Sequence, residues 1–119
     1  MADAKLNMDL VSTPRMEGDA AIISVRGDID LHNSPELRTA ILETISKKPV
    51  KRLILNLSQV PYMDSSAIAV LVEALQKLRP TGGRVMLVDL QPRVKGLMEI
   101  ARLDTIFVLV ASEQQALTM

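Results

Sequence analysis

The chain has 119 residues, 48% of them hydrophobic and 24% charged, with 14 basic side chains balanced by 14 acidic ones. That composition suits one domain with an aliphatic core, and electroneutrality argues against direct binding to the phosphate backbone of nucleic acid. Aromatic residues make up only 2% and cysteine is absent, which excludes a stacking platform for single strands, disulfides, iron–sulfur clusters and cysteine zinc sites.

Along the chain, strand-like and helix-like segments alternate. Leu6 to Thr13 reads as a weak first strand, Gly18-Asp19 as a turn, and Ala20 to Arg26 as a second strand. The short connection predicts an antiparallel hairpin. Gly27 to Asn33 is a polar loop. Ser34-Pro35-Glu36 then reads as a helix start, with Ser34 as the cap, Pro at the first helical position and an acid in the first turn. Leu37, Ala40, Ile41 and Ile45 share one face of that helix. Arg52 to Leu57 (RLILNL) is a third strand, apolar enough to be buried on both faces.

A helix from about Ser66 to Leu78 follows and stops at Pro80-Thr81-Gly82-Gly83. Its inward stripe is Ile68, Leu71, Leu75 and Leu78. Ala67, Val70 and Ala74 form a second apolar strip, as expected of a helix that is deeply buried or touches a partner. Arg84 to Leu90 is a fourth strand and Pro92 to Ala101 a helix with Val94, Leu97, Met98 and Ala101 inward. Ile106 to Val110 is a fifth strand. Ser112 to Leu117 is a short last helix with a capping box from Ser112 to Gln115. The pattern β-β-α-β-α-β-α-β-α predicts an α/β fold with a mainly parallel mixed sheet, an N-terminal antiparallel hairpin and about four helices. Ligands of such sheets gather at the carboxyl ends of the parallel strands. There the loops Gly27–Asn33 and Ser58–Ser66 should meet.

Three small polar residues, Asp64-Ser65-Ser66, stand at the second of those loops. They can be a plain helix cap, worth about 1 kcal/mol, or a working site. The stretch "MDSSAIAVLVEAL", after "RLILNLSQV" and "VRGDIDLHNSPELR", resembles the STAS domain of bacterial anti-sigma factor antagonists, and the likeness runs over nearly the whole chain. The resemblance implies a non-enzymatic binding switch without a cofactor. Its partners would be an anti-sigma factor that is also a serine kinase and, for reset, a PP2C-type phosphatase. It implies phosphorylation at Ser66, with Ser65 the less favoured neighbour, and a contact surface of Asp28, Asp30, Asp64, Ser65 and Ser66, with Ala67, Val70 and Ala74 as its apolar part. Ala67 stands where the family usually has glycine, adding a methyl group where a kinase would approach. The family also contains cytoplasmic subunits of lipid-transport ABC complexes, an alternative role.

Other readings of the residues are poorer. "DIDLH" at Asp28 to His32 lacks the preceding hydrophobic run of a phosphotransferase, and His32 is the single histidine, too few for a histidine metal site. Ser66 lacks a Gly-x-Ser-x-Gly elbow. Thr81-Gly82-Gly83 is too short for a phosphate loop, and Lys47-Lys48 with Lys51-Arg52 reads as a solvated basic face. Met1 to Met8 has no signal-peptide pattern, and no apolar run approaches the roughly 18 residues of a membrane span. A cytoplasmic protein without membrane insertion, one domain across residues 1–119, is the expectation.

Overall fold

The sheet follows from two kinds of sequence pattern, the β-branched and aliphatic runs that make strands and the 3.6-residue apolar spacing that makes helices between them. The computed structural model describes residues 10–119. Five strands lie in the spatial order β1-β2-β3-β4-β5: β1 (Arg15–Glu17), β2 (Ala20–Arg26), β3 (Arg52–Gln59), β4 (Arg84–Val88) and β5 (Val108–Val110). β1 is antiparallel to β2 and every other pair is parallel. The helices are α1 (Ser34–Lys47), α2 (Ser65–Leu78), α3 (Pro92–Ile100) and α4 (Glu113–Leu117). Among the described residues the architecture is therefore the mainly parallel mixed sheet with an N-terminal hairpin and four helices that the alternation predicts.

Each parallel strand sends alternate side chains to opposite faces. Leu53, Leu55 and Leu57 of β3 join Leu71, Leu75, Ile41 and Met98 in the larger core, under α1, α2 and α3. Ile54 joins Ile22, Met86 and Ala116 in a smaller core under α4. That second face is apolar only as far as α4 reaches. At that limit Asn56 and Ser58 lie half-buried, and Asn56 donates a hydrogen bond to Glu113, the first residue of α4, at 2.7 Å.

The first strand differs from expectation. Leu6 to Asp9 lie outside the described residues. The paired strand is Arg15–Glu17, held next to the Gly18-Asp19 turn, where Glu17 pairs with Ala20. Upstream, Val11 makes an isolated antiparallel bridge to Val25, and Ser12 N–H donates to the Ser24 carbonyl at 2.8 Å. Pro14 has no N–H to offer a ladder and divides the two pieces. Other boundaries shift by one or two residues for local reasons. β4 stops at Val88 because Asp89 adopts a left-handed φ of 55°. β5 begins at Val108 because Leu103–Thr105 is a 3-10 turn whose Leu103 carbonyl accepts from Phe107. Ser112 caps α4 by accepting from Gln115 N–H at 3.1 Å, and the Gln115 side chain accepts from Ala111 N–H at 2.9 Å. Ala101, expected inward, is exposed, while Val94 and Met98 are buried. α3 has already ended at Ile100, so its inward stripe cannot extend to residue 101.

Candidate functional site

Two loops come together at the carboxyl ends of β2 and β3. At the end of β2, Gly27 turns the chain with φ +86°, a conformation that disfavours any side chain, and its N–H donates to the Gln59 carbonyl at 2.8 Å. Ile29, fully buried, then forms a parallel bridge with Met63. Ile29 N–H donates to Tyr62 O at 3.0 Å, and Asp64 N–H donates to Ile29 O at 3.1 Å. The acidic segment around Asp30 is thus clamped by main-chain bonds to the segment that starts α2.

The first loop is shaped by its own side chains. Asn33 Oδ1 accepts from Asp30 N–H at 2.8 Å, and Asn33 Nδ2 donates to the Asp28 carbonyl at 2.8 Å. Asp30 Oδ1 accepts from His32 N–H at 2.9 Å and from Asn33 N–H at 3.3 Å. The expectation that Ser34 caps α1 is corrected here. The N-cap is Asn33, whose side chain is committed to the loop, and Ser34 lies inside the helix and is buried.

At the second loop Asp64, not serine, is the N-cap of α2. Its Oδ1 accepts from Ser66 N–H at 2.9 Å and from the Ser66 hydroxyl at 2.5 Å. The Ser66 hydroxyl, followed by the backbone N–H groups of Ser66, Ala67 and Leu31, holds the Asp64 carboxyl below the ordinary aspartate range against some burial that acts the other way. Those donors stabilise the charged form. Ser66 is half-buried; Ser65, one position earlier, is exposed and has no side-chain hydrogen bond among the described residues.

Beside this turn runs an apolar groove of about 660 Å³ between α2 and α3, lined among others by Tyr62, Ile68, Leu97 and Ile100. The Arg93 guanidinium lies 5.1 Å from the centre of the Tyr62 ring, within cation–π range. Ile100 is 84% exposed at the groove's far end, and Leu31, in the Asp30 loop, is 74% exposed.

The model of the STAS domain matches residues 9–116. The chain belongs to the STAS domain family. It is 28% identical over 97 residues to the anti-sigma F factor antagonist of Paenibacillus polymyxa, covering 82% of this chain and 83% of that protein. It is 36% identical over 84 residues to the anti-sigma-B factor antagonist of Listeria monocytogenes, covering 71% and 73%. A protein of Bacillus subtilis named as a sulfate transporter, YvdB, is 33% identical over 74% of this chain, which is 16% of the transporter's length. Among solved structures, one described as an anti-sigma factor antagonist of Thermotoga maritima superposes with a TM-score of 0.82 at 21% identity, over 88% of this chain and 90% of that one. The last of these speaks for the fold.

In this STAS domain the residues singled out in the sequence divide into two sets. Asp28, Asp30, Asp64, Ser65 and Ser66 lie on the two clamped loops, exposed or half-buried. Ala67, Val70 and Ala74 do not form a partner strip. They are 0%, 7% and 0% exposed and belong to the large core. Their helix is covered on that side by α1 and the sheet, and the Ala67 methyl group points inward, away from anything approaching the serine turn. The side of α2 that remains accessible carries Ser65, Ala69 and Gln76, with Ile68, Val72 and Glu73 half-buried. Glu73 binds Arg38 of α1 through both carboxylate oxygens, at 2.7 and 2.8 Å. Leu31, Tyr62, Arg93 and Ile100 were not singled out from the sequence. Leu31 did leave a signal there, as an apolar residue inside "DIDLH" with no periodic partner; Ile100 left none, since it sits next to the inward stripe of α3.

Proposed function

We propose that this STAS domain is an anti-sigma factor antagonist, a binding protein that frees a sigma factor by occupying its anti-sigma factor and is switched off by phosphorylation of Ser66 by that partner acting as a serine kinase. A PP2C-type phosphatase restores the active form. The observation that carries the reading is the clamped pair of loops: an accessible serine at a helix start, beside acidic residues, at the carboxyl ends of β2 and β3. The curated antagonists aligned with most of this chain support it.

Phosphorylation adds about −1.5 to −2 charges at neutral pH. At the second position of α2 the helix dipole tolerates that charge, so the fold survives it. The same charge enters a surface that already carries Asp28, Asp30 and Asp64, and repulsion and desolvation weaken the partner's grip. The apolar share of the contact comes from Leu31 and from the groove bounded by Tyr62, Ile68 and Ile100, which replace the buried alanine strip.

The test uses purified serine kinases of anti-sigma type from the same genome, incubated with the chain and ATP. One phosphate is gained on the chain, and Ser66→Ala abolishes the gain. Ser66→Asp weakens binding of that kinase at least tenfold, while far-UV circular dichroism stays unchanged. Ile100→Glu and Leu31→Glu each weaken binding roughly tenfold, as removal of an apolar anchor does. A chain that gains no phosphate and copurifies with transporter subunits overturns the proposal and places it in the ABC-complex role.

A further inference from the structure

The chain is neutral as a whole, yet its charges gather at opposite ends. At the amino end of β3 stand Lys47, Lys48, Lys51, Lys77 and Arg79, all exposed and in no ion pair among the described residues. The carboxyl ends of α1 and α2 lie here, and a helix dipole favours a cation at each, which accounts for part of this cluster only. Of the acids nearby, Asp19 is held by Arg52 at 2.8 Å, and Glu73, one turn before Lys77, by Arg38 at 2.7 Å. Glu43, one turn before Lys47, offsets a single cation. Between the two helix ends opens an apolar groove of about 470 Å³, walled by Leu42, Ile45, Pro49, Val50 and Leu78, with Lys51 and Lys77 also in its lining.

The other end carries the counterpart. At the carboxyl end of β2, Leu31 is 74% exposed. Asp28 and Asp30 precede it, and the main-chain bonds through Ile29 hold Asp64 beside them. None of these three carboxylates is in an ion pair among the described residues. An apolar side chain among carboxylates therefore lies at the far end of β3 from an apolar groove among cations. The eight residues of β3 separate them, a span of about 26 Å at 3.3 Å per residue, so the two cannot meet within one chain.

We propose that a second copy of this chain docks head to tail, its Leu31 seated in the groove beside Ile45 and Leu78, its Asp28 and Asp30 against Lys51 and Lys77. The contact goes beyond the antagonist reading and does not depend on it. It joins two unlike surfaces, so each pair keeps one free loop and one free groove and the assembly can grow. One loop in one groove is a small contact of the weak, transient class, and its exposed charge pairs are screened by salt. Each contact covers one acidic loop, the surface assigned above to the anti-sigma partner, so the two associations compete.

Sedimentation velocity of the full, unmodified chain, without kinase or ATP, tests this. At about 0.05 M salt the mean sedimentation coefficient of the wild-type chain rises with concentration, and at about 0.5 M salt the association constant falls about tenfold or more. Leu31→Glu disables the loop; Lys51→Glu with Lys77→Glu reverses the charge of the groove. Each weakens self-association about tenfold or more, with far-UV circular dichroism unchanged because all three positions are exposed. Should the double variant lose its fold, Lys77→Glu alone takes its place. Mixed in equal amounts, the loop variant and the groove variant form a one-to-one pair that grows no further, since one intact groove meets one intact loop. A wild-type chain that stays monomeric up to about 1 mM, the limit of weak binding, overturns the inference. So does a wild-type dimer that the mixture fails to reproduce, as a symmetric contact would. Neither result touches the antagonist reading, which is read by phosphate gain and kinase binding.

Discussion

Helices α1 and α2 begin alike: each follows a parallel strand and a polar loop, and each places a serine within two residues of an Asn or Asp cap. Their serines nonetheless have different fates. In α1 the cap residue Asn33 turns its side chain back to Asp28 and Asp30 and builds the loop, and Ser34 is buried at 5% exposure. In α2 the cap residue Asp64 turns forward onto Ser66, and both serines stay within reach of solvent. A serine at a helix start is thus structural or chemical according to which way the neighbouring cap points. The choice of cap direction follows from what lies upstream: the Asp30 loop has free N–H groups that need an acceptor, while the segment before Asp64 is already satisfied by its main-chain bonds to Ile29.

The sharpest way to break this comparison is to place a charge on each serine. Ser34→Asp buries an unpaired carboxylate and should cost on the order of 3–5 kcal/mol, read by chemical denaturation. Ser66→Asp, at an accessible helix start, should change stability by less than about 1 kcal/mol while weakening the partner. Equal losses at both positions would erase the distinction. Next come the caps: Asn33→Ala and Asp64→Ala should each cost about 1 kcal/mol. They should differ in readout, Asn33→Ala loosening amide-exchange protection in the residue 28–33 loop and Asp64→Ala fraying the first turn of α2.

A smaller effect tests the core position of Ala67. Ala67→Gly restores the usual family residue and should cost up to about 1 kcal/mol in helix propensity, with partner affinity unchanged within twofold, because the methyl group is buried. The smallest effect is in pH. Asp64 has a folded-state pKa below its ordinary value, so its contribution to stability is present above the unfolded-state pKa and is lost as pH falls through the lowered one. Glu73 beside Arg38, and Glu113 beside Asn56 and Arg15, act in the same direction. Stability should therefore fall on acidification below the ordinary carboxylate range. Asp64→Asn should make that acid limb shallower in denaturation curves measured at several pH values; an unchanged slope would show that its carboxylate is not held by Ser66.

Much of this protein is local enough to be written in its sequence. Apolar runs dictate the strands, the 3.6-residue spacing dictates the helices, and a helix between successive strands dictates parallel neighbours, because the crossover must pack back on the sheet. The residues of the serine turn and of the acidic loop were legible for the same reason, as small polar residues at predicted strand ends. The direction of a helix face was not legible where two apolar strips compete. Ile68, Leu71 and Ala67, Val70 occupy overlapping arcs of α2, and only the placement of α1 against that helix decided that the alanine side is sealed and the Ile68 side faces the groove. Nor could spacing show that Asp64 turns onto Ser66 while Asn33 turns away from Ser34. Both outcomes depend on which backbone groups lack partners once distant strands have paired, and that is a property of the assembled sheet alone.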